Sequence, residues 1–157
     1  MKKLITICLL LLVSLIAVSC LKNENNEFPY SVSVRFLNDS IPEQAKDSIA
    51  LWVTTVEEFS TTSYRIENIV EEKNNEINID LVRLYFEGIA MNCEYGSVRE
   101  LIYVTLDGDN ETYYLNINSG GKSSKAKIID LDSLIVLKPL RESNATFEND
   151  TLYISQP

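Results

Sequence analysis

The sequence contains no histidine. That excludes Ser-His and Cys-His catalysis and the zinc sites built on imidazole. Cysteine is almost as scarce. Of Cys8, Cys20 and Cys93, only Cys93 lies in the body of the chain. A lone thiol without a nearby histidine base reads as a small buried hydrophobe, not as a nucleophile. Positive charge is also in deficit, with 14 Lys and Arg against 23 Asp and Glu, a formal charge of −9. A domain so acidic is expected to be repelled by nucleic acid and by anionic lipid head groups, which excludes both as partners on net charge alone. After the first apolar run no second one of comparable length occurs, and there is no internal repeat.

That first run follows Met1-Lys2-Lys3 and extends from Leu4 to Val18. Two lysines ahead of a short apolar stretch form the n-region and h-region of a secretory signal. The run falls short of the roughly 20 apolar residues that cross a bilayer core. It ends Leu15-Ile16-Ala17-Val18-Ser19-Cys20. This ending resembles the bacterial lipobox, in which an apolar residue and small residues precede an obligatory cysteine. The resemblance implies cleavage before Cys20 and lipid on that sulfur, which several acyl chains make a lasting anchor. The other reading is an ordinary signal peptide that happens to contain Cys20.

The polar stretch Leu21-Lys22-Asn23-Glu24-Asn25-Asn26-Glu27 has little to bury and is expected to be a flexible tether. Leu21 stands where an aspartate would favour retention in the inner membrane, so the resemblance implies the outer membrane. Lys22, Glu24 and Glu27 look like a loose form of the surface-export signal of Bacteroidetes lipoproteins. A solvated linker explains the same residues without a signal.

The expected organisation is a signal peptide over residues 1–19, a lipidated cysteine and tether over 20–27, and one domain over 28–157. Without residues 1–19 the chain keeps 138 residues and a charge of −11, because Lys2 and Lys3 are lost. A domain of that size buries roughly two-thirds of its unfolded surface and needs no disulfide.

Alternation of apolar and polar residues dominates that domain. Val32, Val34 and Phe36 alternate with Ser31, Ser33 and Arg35, which predicts a half-buried strand. Residues 42–59 fit two patterns. Ala45, Ile49, Trp52, Val53, Val56 and Phe59 fall at helical spacing, and Ser40 with Glu43 could form a capping box. The density of β-branched and aromatic residues from Ile49 to Val56 favours a strand. Further strands are expected over 63–70, 77–86, 98–106, 111–117, 125–131, 133–140 and 151–154. Glu71 to Glu76 is read as a polar turn and Asn118 to Ser123 as a flexible loop. Asp107-Gly108-Asp109-Asn110 predicts a tight hairpin between its flanking strands. Seven to nine short strands predict a small single-domain all-β sandwich, immunoglobulin-like or transthyretin-like.

Candidate sites are few. Asp107, Asp109, Asn110 and Glu111 hold only a fragment of a calcium loop, so neither metal nor cofactor is expected. Glu57-Glu58 and Glu71-Glu72 invite comparison with the acid/base pair of a small hydrolase, but adjacent glutamates in polar stretches usually form a solvated face. Trp52 is a candidate for stacking on sugar rings, against a reading as core. Tyr103, Tyr113 and Tyr153 read as sheet or core residues. Finally, Asp39-Ser40-Ile41, Asp47-Ser48-Ile49, Asp132-Ser133-Leu134 and Asp150-Thr151-Leu152 share the order Asp, hydroxyl, aliphatic. This resembles the O-glycosylation motif of Bacteroidetes envelope proteins and makes Ser40, Ser48, Ser133 and Thr151 candidate acceptors. Exposure is expected to be greatest at Ser40 and Thr151 and least at Ser48. The competing reading is turn chemistry leading into strands.

The functional expectation is a non-catalytic envelope lipoprotein, a binding or accessory domain tethered to the outer membrane through Cys20, with an envelope protein or glycan as partner. A glycan-binding module of a carbohydrate-uptake system is the first alternative. It requires two or three exposed aromatics on one face. A small hydrolase is the second, and it requires clustered polar groups in a cleft.

Overall fold

The computed structural model describes residues 28–60, 63–87, 95–106, 111–148 and 150–155. Cys20, Cys93 and the Asp107–Asn110 segment lie outside them. Among the described residues no helix is long and apolar enough to cross a membrane. The domain is all-β and forms a two-sheet sandwich. Its strands are β1 (Val32–Phe36), β2 (Ser40–Pro42), β3 (Ser48–Phe59), β4 (Tyr64–Lys73), β5 (Glu76–Phe86), β6 (Gly96–Thr105), β7 (Thr112–Ser119), β8 (Lys122–Leu131), β9 (Leu134–Arg141), β10 (Ala145–Phe147) and β11 (Asp150–Ser155). The smaller sheet has the order β10-β1-β3-β6, and the larger β2-β11-β9-β8-β7-β5-β4. Most neighbours are antiparallel, but β1 with β10, β2 with β11 and β5 with β7 are parallel.

Residues 42–59 resolve in favour of the strand. Only Glu43–Ala45 forms a turn of 3₁₀-helix. It starts from Pro42 with no side-chain cap, so the Ser40 capping box is not made. From Ser48 the period-two pattern takes over, with Ile49, Leu51, Val53 and Thr55 buried. Pleating sends alternate side chains to opposite faces, so the polar or bulky residues between them must face out.

The strands expected to form a hairpin across Asp107–Asn110 do not pair with each other. Strand β6 pairs with β3 in the smaller sheet, whereas β7 lies between β5 and β8 in the larger. Both edges of β7 are occupied by other strands, so β6 and β7 lie in different sheets and do not pair with each other. Tight hairpins occur elsewhere. Lys73 pairs with Glu76, which leaves Asn74 and Asn75 as the turn, with Asn74 at φ 55°. The expected polar turn over 71–76 is therefore mostly strand. Likewise Ser119 pairs with Lys122 around Gly120 and Gly121, at φ 54° and 72°. Two successive positive φ values are those of a type I′ turn, which glycine adopts without steric cost. The expected loop over 118–123 is that turn plus the ends of two strands.

The inner faces pack aliphatic residues of both sheets, among them Val34, Leu51, Ile79, Leu115, Ile128 and Leu137. Three polar residues are buried with them, and each is hydrogen-bonded. Thr55 sits where the β3–β6 register shifts. Its Oγ1 accepts the Val98 N–H at 2.8 Å and donates to the Glu57 carbonyl at 2.9 Å. The hydroxyl thus replaces ladder bonds that the bulge removes. Ser119 Oγ donates to the Phe28 carbonyl at 2.8 Å. Ser124 Oγ accepts the N–H groups of Ser143 and Ala145 at 3.0 and 2.9 Å.

The two sheets also meet along one side, where β4 and β6 face each other. Carboxylates bridge them: Thr105 N–H donates to Glu72 Oε1 at 2.7 Å, and Ile66 N–H donates to Glu100 Oε2 at 3.4 Å. At one end a row of rings, Phe28, Tyr30, Phe59, Tyr64 and Phe86, runs from β3 to β5 with successive centroids 5.0 to 5.8 Å apart. Edge-to-face pairs of this kind stabilise by about 0.5–1.5 kcal/mol each beyond their burial.

Candidate functional site

The inner faces are consumed by packing, so the strand side chains open to a ligand, among the described residues, are those of the outer faces. On the smaller sheet Trp52 lies between Arg35 of β1 and Leu101 of β6 in the ladder. Its neighbours in sequence, Leu51 and Val53, are fully buried, which aims the indole away from the core. Trp52 is half-buried against its cross-strand neighbours, so the reading of it as core is corrected. Tyr103 lies on the same face, opposite Ala50 and diagonal to Trp52, and is 63 % exposed. Diagonal neighbours on one face stand about 7–8 Å apart, within reach of one extended ligand. Thr54 sits on the next row between Ser33 and Arg99.

Arg35 and Arg99 frame this apolar centre. Among the described residues the ion pairs are Arg65 with Glu87 and Arg83 with Glu67, so neither framing arginine is paired. The nearest acidic residue in the ladder is Glu148 beside β1, and its Oε1 accepts the Ser33 hydroxyl at 2.7 Å. The face therefore offers two aromatic rings, a leucine, hydroxyls and two guanidinium groups with donors to spare.

The other tyrosines divide. Tyr113 is fully buried, while Tyr153 is 58 % exposed at the outer face of β11. The glutamate pairs are dispersed. Glu57 accepts the Ser31 N–H at 3.3 Å, and Glu72 bridges to β6. Glu111 is exposed, and its carbonyl accepts the Asp130 N–H. Among the described residues no group of three or more His, Cys, Asp or Glu side chains is arranged to hold a metal ion.

The four Asp-hydroxyl-aliphatic motifs all fall where strands begin. Ser40 opens β2, Ser48 opens β3, Ser133 immediately precedes β9 and Thr151 is the second residue of β11. The first three are exposed, but Thr151 is half-buried. The expected order of exposure is thus corrected. Ser48 is open because the strand starts with an outward residue, and Thr151 is screened because it already pairs with Val136. Turn chemistry accounts for part of the pattern. Asp150 accepts the N–H groups of Thr151 and Phe36 at 3.0 and 2.9 Å, tying β11 to β1.

Comparison of the chain with protein-family models, with curated proteins and with solved structures found no match.

Proposed function

We propose that the chain is the precursor of an envelope lipoprotein: a non-catalytic binding or accessory domain held at the outer membrane by lipid on Cys20. The observation that carries this reading is the segment from Lys2 to Cys20, with its basic start, short apolar run and terminal cysteine. The dispersal of the glutamates Glu57 and Glu72 into backbone contacts supports a binding role over catalysis. Fractionation with and without Cys20→Ser tests the address. The parent protein should enter the detergent phase as a processed chain, and the variant should be left soluble or unprocessed. Equal membrane retention of both would overturn the reading.

A second reading, a glycan-binding module, is favoured by one observation. Trp52 and Tyr103 share an open face with two arginines that have no ion pair among the described residues. Flat rings stack on the apolar faces of sugars while guanidinium and hydroxyl groups take the polar edges. Affinity electrophoresis against a panel of polysaccharides should retard the parent and not Trp52→Ala. A parent that migrates freely through every polysaccharide would overturn it. O-glycosylation at Ser40, Ser48 or Ser133 also belongs to this proposal, and the intact mass of protein from its own host reads it directly.

A further inference from the structure

Net charge conceals a basic face. Five of the chain's 14 Lys and Arg fall between residues 122 and 141, with only Asp130 and Asp132 against them before Glu142. Strand register then places like charges side by side. Lys127 pairs directly with Lys138, and Lys125 with Arg141 across the β8–β9 bulge. The pleat puts Lys125, Lys127 and Lys138 on the outer face of the larger sheet, because Ser124, Ala126, Ile128, Ile135 and Leu137 take the inner one, and the bulge brings Arg141 to the same side by pairing it with Lys125. Among the described residues none of the four has an ion-pair partner. Only Lys127 has a compensating contact, over the Tyr114 ring at 5.3 Å. Like charges directly opposite each other in a ladder destabilise it, so the fold does not call for this arrangement.

The acidic groups nearby do not neutralise it. Glu76 and Asp80 stand on β5, beyond the neutral column Tyr114, Asn116 and Asn118 of β7. Asp80 is engaged by Asn118 Nδ2 at 2.6 Å. Asp130 pairs with the inward Ile135, and Glu142 Oε1 takes the Phe147 N–H at 2.9 Å.

The place where the chain joins the fold gives this face a partner. Phe28 is buried, and its carbonyl accepts Ser119 Oγ next to the Gly120–Gly121 turn. A Cβ on Gly120 would lie 3.3 Å from the Phe28 oxygen, so the joining segment passes directly beneath that turn. Lys122 begins β8 there, and Lys125 follows about 10 Å along the strand. The seven residues 21–27 between Cys20 and Phe28 reach at most about 25 Å when fully extended. A lipid on Cys20 would therefore hold this end of the domain, and the basic face beside it, against the bilayer.

We infer that the β8–β9 face, Lys125, Lys127, Lys138 and Arg141, docks on the anionic head groups of the membrane that anchors the chain. The docking lays the larger sheet on the lipid and turns the Trp52 face of the smaller sheet outward. It rests on the reading of Cys20 as lipidated, and it replaces the exclusion of anionic lipid drawn from net charge. Each cation near such a surface contributes about fivefold to the binding constant, and salt removes the contribution.

The test is lysine footprinting of the mature, acylated protein in vesicles of phosphatidylcholine alone or mixed with phosphatidylglycerol. Lys125, Lys127 and Lys138 should label several-fold more slowly in the anionic vesicles, with recovery at high salt. Lys46, in the turn before β3 and close to Asp130, should label equally in both. The mature chain, residues 20–157 with Cys20→Ser, should co-sediment with anionic vesicles and not neutral ones, and adding Lys127→Gln with Lys138→Gln should weaken that at least tenfold. Equal labelling of the three lysines in both vesicles, on a protein whose mass includes the acyl chains, would overturn this inference alone. A mature mass without acyl chains would overturn the lipoprotein reading and the tethered orientation with it.

Discussion

The outer faces of the two sheets differ more than their inner faces do. Inside, both sheets present the same Ile, Leu and Val alternation and share one core. Outside, the smaller sheet centres on Trp52, Leu101 and Tyr103 with two framing arginines. The larger sheet divides its charge, with Glu71, Glu76 and Asp80 towards one edge and Lys125, Lys127, Lys138 and Arg141 beyond β7. The inner faces answer to packing and admit few alternatives. The outer ones are free to carry chemistry, and here they carry two different kinds. Substitutions should separate the two regimes by size and sign.

The largest effect belongs inside. Ser124→Ala leaves the fully buried Ala145 N–H without an acceptor and releases the Ser143 N–H. It should cost about 2 kcal/mol in urea denaturation. A loss near zero would mean that β10 is not held to β8 through this hydroxyl. Trp52→Ala comes next. The indole is only half-buried, so the expected loss is about 1 kcal/mol. Polysaccharide retardation should disappear while the fold persists. A loss as large as that of a buried residue would return Trp52 to the core and weaken the case for the smaller sheet as a binding face.

Lys138→Glu should move the other way. It turns the like-charge pair with Lys127 into an attractive one and should stabilise by about 0.5 kcal/mol at low ionic strength. The gain should shrink as salt is added. The same substitution should impair binding to anionic vesicles, so stability and docking would change in opposite directions. A destabilisation would show that Lys138 has a structural role its exposure does not suggest.

Much of this was legible in the residues, and the rest failed for identifiable reasons. Val32 to Phe36 announces β1 because alternation is local and the strand is half-buried. The Asp107–Asn110 signal misleads because a turn sequence specifies a local bend, whereas sheet membership is decided by which strands already occupy the edges of β7. Ser119 looks like loop because it is polar, yet its hydroxyl is spent on the Phe28 carbonyl, a partner distant in sequence. Trp52 fits a core position on a helical pattern and an outer position on a strand. Its role was therefore hidden until the strand was settled. The lysine pairs were invisible for a related reason. Lys127 meets Lys138 only once the two-residue turn between Leu131 and Leu134 is fixed, and Lys125 meets Arg141 only because of the bulge between Lys125 and Ala126. Short strands such as β10 leave too few residues for any pattern.

The smallest expected effect concerns Asp130, at the boundary between the inner face and the surface. Partial burial pushes its carboxyl above the ordinary value. Asp47 and Asp132 push in the same direction, and Lys46 opposes them. A carboxyl whose folded-state pKa is raised binds its proton more tightly in the folded chain than in the unfolded one. The folded state is then free of penalty below the unfolded value of 3.8, and it loses stability as pH rises from there through the raised folded value. Above that window the penalty is complete. Asp130→Asn keeps the shape and the backbone bond from Asp130 N–H to the Glu111 carbonyl while removing the charge. It should raise the melting temperature slightly at neutral pH and leave it unchanged below the unfolded value of 3.8. A gain of equal size at both pH values would assign the effect to the amide's own hydrogen bonds. A loss at neutral pH would show that the attraction of Lys46 outweighs burial.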